Sequence, residues 1–159
     1  MHAAPSPAPE LQVSGWFNVE APITLESLRG RVVLLHAFQM LCPACISHGL
    51  PQADRVHKRF PADQVAVIGL HTVFEHHAVM GPNALEAFIE EYGWPFPIGV
   101  DVPADDGDPI PLTMRALQLR GTPSFVLIDR EGRIRFEHFG ALDDLVLGAL
   151  IGRLLEARG

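Results

Sequence analysis

The sequence predicts an α/β domain: a mixed central sheet with helices on both faces. Three observations predict it. Short apolar runs of strand length alternate with stretches whose apolar residues recur every three or four positions. Helix-sized crossovers separate the early strands, which makes those strands parallel through right-handed connections. A late pair of strands shares a tight turn and adds antiparallel members.

The elements follow in chain order. Met1 to Pro9 is rich in Ala and Pro, and Pro5, Pro7 and Pro9 predict a loose, extended tail. Residues 1–20 are therefore set apart as an N-terminal extension, and 21–159 as the folded domain. Arg31 to Phe38 (RVVLLHAF) reads as a buried strand that ends just before Cys42. A helix follows. Pro43 suits its first turn, where a missing N–H costs nothing. Ile46, Leu50, Ala53, Val56 and Phe60 form its core-facing stripe. His57, Lys58 and Arg59 place positive charge at its C-terminal end, and Pro61 stops it.

Val65 to Leu70 reads as a second buried strand. Asn83 and Glu86 stand at capping-box spacing, ahead of a helix with the stripe Leu85, Phe88, Ile89 and Tyr92. Phe96 to Val100 makes a short strand, Val102 to Pro111 an acidic, Pro-rich loop, and Thr113 to Leu119 a short helix. Ser124 to Ile128 and Arg133 to Phe139 are strands joined by the turn Asp129-Arg130-Glu131-Gly132. The closing helix has the stripe Leu142, Leu145, Val146, Ala149, Leu150 and Leu154.

Composition bounds the function. A chain of 159 residues is the size of one ordinary domain, and its 48% apolar content argues against disorder. The net charge of −7 comes from scattered acidic residues, which argues against nucleic acid or an anionic membrane as the main partner. No run is long and apolar enough to span a bilayer. The opening residues lack a basic n-region and an apolar h-region, so a cytoplasmic location is expected. A periplasmic one would follow if a leader had been removed.

The chain has two cysteines, Cys42 and Cys45, with two residues between them. A disulfide there would close almost no loop, and such a staple would stabilise by roughly 2 kcal/mol or less. The pair therefore reads as chemistry rather than as a framework.

A buried strand running into Cys42-Pro43-Ala44-Cys45 at a helix start resembles the thioredoxin superfamily. Gly121-Thr122-Pro123-Ser124, followed by Phe125 to Asp129 and Gly132, resembles the cis-proline loop and hairpin of its TlpA/ResA-like, redoxin-type branch (AhpC-TSA type). Phe96-Pro97-Ile98-Gly99-Val100-Asp101 is similar to that branch's segment before the short helix. The resemblance runs from about Leu25 to the C-terminus and implies a thioredoxin-like three-layer sandwich. It implies a thiol-disulfide oxidoreductase with no cofactor and a cis bond between Thr122 and Pro123. The Thr122 backbone would then be open to an extended partner peptide. Three positions depart from the family pattern: Leu41 stands for the usual Trp, His36 for a buried Asp or Asn, and His48 for a frequent Glu.

The chemistry expected at the pair follows from its place at a helix start. Free N–H groups and the helix dipole favour a thiolate on Cys42, the attacking sulfur. Cys45, one turn in and more covered, resolves the mixed disulfide. Pro43 and Ala44 tune the potential of the pair. His36, beneath the cysteines, is expected either to relay the Cys45 proton or to be a core histidine. His48 lies on the same helix face as Cys45 and reads more readily as a surface histidine.

Other readings remain. His71, Glu75, His76 and His77 follow a parallel strand, whose carboxyl end gathers around the site. His71 and His76 have the spacing of a zinc half-site, which gives a metal-binding or redox-sensing module with Cys42 and Cys45 as the non-enzyme alternative. No metal is the favoured expectation. Asp105, Asp106 and Asp108 lack the ligand spacing of a calcium loop. A peroxide reductase is the second enzyme reading, but Gln39 stands where such relatives carry Thr. The expected partners are protein or small-molecule disulfides and thiols, together with a reducing or oxidising partner, acting on a monomer or weak dimer. Direction of exchange follows from the compartment.

Overall fold

The computed structural model describes residues 4–157. Residues 1–3 of the expected extension and residues 158–159 of the expected domain lie outside the described residues. Seven strands form one sheet: β1 (Ser6–Pro7), β2 (Val13–Phe17), β3 (Val32–Phe38), β4 (Val65–His71), β5 (Ile98–Asp101), β6 (Ser124–Ile128) and β7 (Arg133–Phe139). Their order is β1-β7-β6-β3-β4-β5-β2. β3, β4 and β5 are mutually parallel, and the remaining pairings are antiparallel. The helices are α1 (Leu50–Arg59), α2 (Pro82–Tyr92), α3 (Leu112–Ala116) and α4 (Asp144–Glu156). No helix among the described residues is long and apolar enough to cross a membrane.

β3 is central and every residue in it is buried, so it reads as a continuous apolar run. Alternation along it feeds two cores. Val32, Leu34 and Phe38 belong to the larger one, to which α1, α2 and α4 contribute Leu50, Val56, Leu85, Ile89, Leu147 and Ile151. Val33 and Leu35 belong to the other, covered by Leu28 of a single 3-10 turn and Leu117 after α3. The long helices thus serve one core, and short helical pieces close the second.

Four expectations need correction. The segment set apart as a loose extension supplies both sheet edges: β1 pairs with β7, and β2 with β5. Proline is tolerated on an edge strand because no ladder donor is needed on the open side. α2 has no capping box. Pro82 takes its first turn behind Gly81, no side chain caps it, and Asn83 is exposed. Tyr92, placed on its core stripe, is half exposed and stacks on Trp94. In α4, Asp143 accepts the Leu145 and Val146 N–H groups, and this cap sets the phase. Leu147, Ile151 and Leu154 face the core, while Leu145, Val146 and Ala149 are exposed.

The topology gathers one end of the sheet. β3 runs parallel to β4, so Phe38 lies beside His71. β6 runs antiparallel to β3, so Ala37 lies beside Ser124 at the start of β6. The segments after β3, after β4 and before β6 therefore meet at that end.

Candidate functional site

Gln39, Met40 and Leu41 carry the chain from β3 to Cys42, and helical backbone begins at Pro43. The Cys42 carbonyl accepts the first N–H groups, from Cys45 at 3.1 Å and Ile46 at 3.2 Å. Residues Cys45–Gly49 form a π turn, in which the Leu50 N–H reaches back to the Cys45 carbonyl. The cause is local: Pro51 has no N–H to continue an α ladder.

Both cysteines are thiols. Cys42 is half-buried and its sulfur has two backbone partners. The Cys45 N–H donates to it at 3.3 Å, and its S–H donates to the Thr122 carbonyl at 3.6 Å. Cys45 is fully buried. Burial pushes its thiol well above the ordinary range, and the neighbouring Cys42 sulfur pushes the same way; the Gln39 backbone and the Thr122 hydroxyl oppose them. The two sulfurs thus differ in exposure and in their backbone partners. Pro43 and Ala44 are exposed between them. The Thr122–Pro123 bond is cis, with Thr122 half-buried and Pro123 buried.

His36 is fully buried under the first turns of the helix. Its ring stacks on Phe125 at 4.7 Å and Phe38 at 5.9 Å. A Cβ on Gly49 would lie 2.6 Å from the His36 Cε1 atom and 3.2 Å from the Pro123 Cβ atom. The glycine therefore lets β3, the helix and the cis-proline loop close on one another. Neither ring nitrogen has a hydrogen-bond partner. Burial lowers the His36 pKa to about 3, with the nearby Ser124 backbone opposing only in part. A ring held so far from protonation is a poor acceptor for the Cys45 proton, which argues against a relay through imidazolium. His48 does not reach the sulfurs; its Nε2 donates to the Leu142 carbonyl at 2.8 Å.

His71 lies inside β4, not after it, and is buried. Its Nε2 accepts the Met40 N–H at 3.3 Å, which removes that nitrogen from metal ligation. Burial lowers its pKa to about 4. His76 and His77 are exposed, with His77 hydrogen-bonded to the Pro109 carbonyl. Among the described residues no three His, Cys, Asp or Glu side chains converge on a metal position. Asp106 and Asp108 pair with Arg115 at the surface.

Two site residues escaped the sequence reading. Gly49 carried no signal beyond being a glycine inside a helical stripe. Gln39 was noted only as a departure from Thr, yet it is buried and bonds to two other loops. An amide at the end of a buried strand, three residues before the cysteine pair, was the available clue.

The comparisons with known proteins agree with this arrangement. The structure superposes on a thioredoxin-like superfamily protein with a TM-score of 0.94 and 53% identity, covering 96% of this chain and 98% of that one. It matches a thiol-disulfide isomerase from Corynebacterium glutamicum with a TM-score of 0.90 and 52% identity, over 95% and 98% of the two chains. The protein DipZ of Mycobacterium bovis is 30% identical over 152 residues, 94% of this chain. The chain spans only 21% of the length of that curated relative. The AhpC/TSA family model matches residues 5–137. With its cysteine pair, cis-proline loop and mixed sheet, the chain belongs to the AhpC/TSA family, within the thioredoxin superfamily.

Proposed function

We propose that this thiol-disulfide oxidoreductase exchanges electrons through Cys42 as nucleophile and Cys45 as resolving thiol. The contrast between the two sulfurs carries the reading: one is accessible and met by backbone dipoles, the other is sealed and held protonated. The Cys42 thiolate attacks a substrate disulfide and forms a mixed disulfide, and one substrate thiolate leaves. Cys45 then gives up its proton and attacks the Cys42 sulfur. The Cys42–Cys45 disulfide forms, and the second substrate thiolate leaves. Two electrons pass to the substrate, and the two thiol protons end on the released thiols. The reverse sequence oxidises a dithiol. The Thr122 carbonyl, at 3.6 Å from the attacking sulfur, is placed to accept an N–H from an extended substrate. Exposed Leu41 beside Cys42 offers that substrate an apolar contact.

Position 39 favours disulfide exchange over peroxide reduction. The residue three before Cys42 is Gln39, which has no hydroxyl to hold a peroxide, and its amide bonds to Phe74, Glu75 and Thr122. The test is insulin reduction with dithiothreitol as the electron source. Wild type should accelerate turbidity, and Cys42→Ser should not. A Cys42→Ser variant as active as wild type would refute the assignment.

A further inference from the structure

Gln39 is 1% exposed, and every polar group of its side chain is used. Its Oε1 accepts the Phe74 N–H at 3.2 Å, which fixes the amide orientation. Its Nε2 then has two hydrogens to give. It donates to Glu75 Oε1 at 3.3 Å and to Thr122 Oγ1 at 3.5 Å. Its own carbonyl accepts the Cys42 N–H at 3.1 Å. A single residue thus touches the cysteine turn, the loop after β4 and the cis-proline loop.

Neighbouring carbonyls of the cis-proline loop have their own anchors. The Ser124 hydroxyl donates to the Gly121 carbonyl at 2.6 Å, and the Gly140 N–H donates to the Pro123 carbonyl at 2.8 Å. The Thr122 carbonyl has the Cys42 thiol. That bond exists only while Cys42 carries its proton. It is gone in the thiolate that meets a substrate and in the mixed disulfide that follows. The tie from Gln39 to the Thr122 hydroxyl does not depend on that proton.

We propose that Gln39 is a positioning residue that keeps the Thr122 carbonyl beside the Cys42 sulfur for extended polypeptide substrates. It acts through Thr122 and does not touch the reacting atoms. The inference rests on the exchange reading above and adds a substrate preference to it. A small disulfide needs only the sulfur. An extended peptide also donates a backbone N–H to the Thr122 carbonyl, so only the peptide feels a loosened loop.

The experiment compares second-order rate constants for two probes: an extended peptide bearing a mixed disulfide with thionitrobenzoate, and hydroxyethyl disulfide. The variants are Gln39→Met, which keeps length without polar groups; Thr122→Val, which keeps the carbonyl and loses the hydroxyl; and the double variant. Gln39→Met should slow the peptide about tenfold and leave hydroxyethyl disulfide within about twofold, and Thr122→Val should slow the peptide at least as much. The double variant should be no slower than the slower single one, because both remove the same bond. Thr122→Val alone carries the expectation for the peptide should Gln39→Met fail to fold. Parallel slowing of both probes in Gln39→Met, an unchanged peptide rate, or multiplicative effects on the peptide rate in the double variant would overturn the inference. A wild type inert to both probes would instead overturn the exchange reading, and this inference with it.

Discussion

The Cys42 sulfur lies 3.6 Å from the carbonyl oxygen of Thr122, a residue 80 positions further along the chain. The antiparallel pairing of β3 with β6 makes this contact, since it sets the end of one strand beside the start of the other. The proposed attacking sulfur and the proposed backbone acceptor for an incoming chain are thereby carried on one sheet.

Removal of the resolving thiol should leave the first step intact and block the second. Cys45→Ser is expected to accumulate a covalent adduct with a disulfide substrate through Cys42, while Cys42→Ser forms none. Mass spectrometry of the non-reduced protein reads the adduct directly. Equal adduct on both variants would mean that the roles are misassigned.

Gly49→Ala should destabilise the fold. Its Cβ would stand 2.6 Å from a fully buried His36 ring that stacks on Phe125 and Phe38. Overpacking of this kind costs about 1–3 kcal/mol. Chemical denaturation measures it, and in a His36→Ala background the added cost should fall markedly, since the clashing ring is gone. A cost unchanged by His36→Ala would show that the clash lies elsewhere.

Acid should unfold the protein in part through its buried histidines. Their pKa values drop from 6.5 to about 3 for His36 and to about 4 for His71. The unfolded chain binds these protons first, so stability is complete above pH 6.5 and falls as pH drops toward the folded values. Each histidine contributes a slope of about 1.4 kcal/mol per pH unit inside its window. His36→Leu should flatten the pH dependence of denaturation between pH 6 and 4, by about that slope. An identical slope in the variant would mean that His36 accepts a proton in the folded state.

Asp101 should be essential to the end of the sheet that bears the site. Its buried carboxylate accepts the Thr72 hydroxyl at 3.0 Å and the N–H groups of Thr113 at 2.7 Å and Met114 at 2.9 Å. Asp101→Leu would strand all three donors, at a cost of about 3 kcal/mol or more. A thermal melt within a degree or two of wild type would contradict this account.

Much of this was legible in the sequence, for physical reasons. β3 and β4 are buried on both faces and so read as apolar runs. The turn before Gly132 and both hairpin strands, Ser124–Ile128 and Arg133–Phe139, fall where turn chemistry puts them. The cysteines and Pro123 carried chemistry at a recognisable spacing. The face of α4 was harder, because Leu145 and Val146 are apolar yet exposed, and only the Asp143 cap sets the rotation. Of the edge strands, β1 was hidden by prolines that an edge tolerates, and β2 by a glycine and a register irregularity that break its alternation. Gln39 and Gly49 were illegible for a different reason. Their meaning lies in partners such as Phe74 and Thr122, 35 and 83 positions from Gln39, and no local period encodes such contacts.

The most direct measurement of the central claim is the redox equilibrium of the cysteine pair against glutathione buffers, quenched with an alkylating agent and read by mass. The account predicts that Cys42 and Cys45 convert together, from doubly alkylated to unalkylated, as a single two-electron couple. Two thiols that remain doubly alkylated across the whole series, or that accumulate only as a Cys42–glutathione adduct, would contradict it.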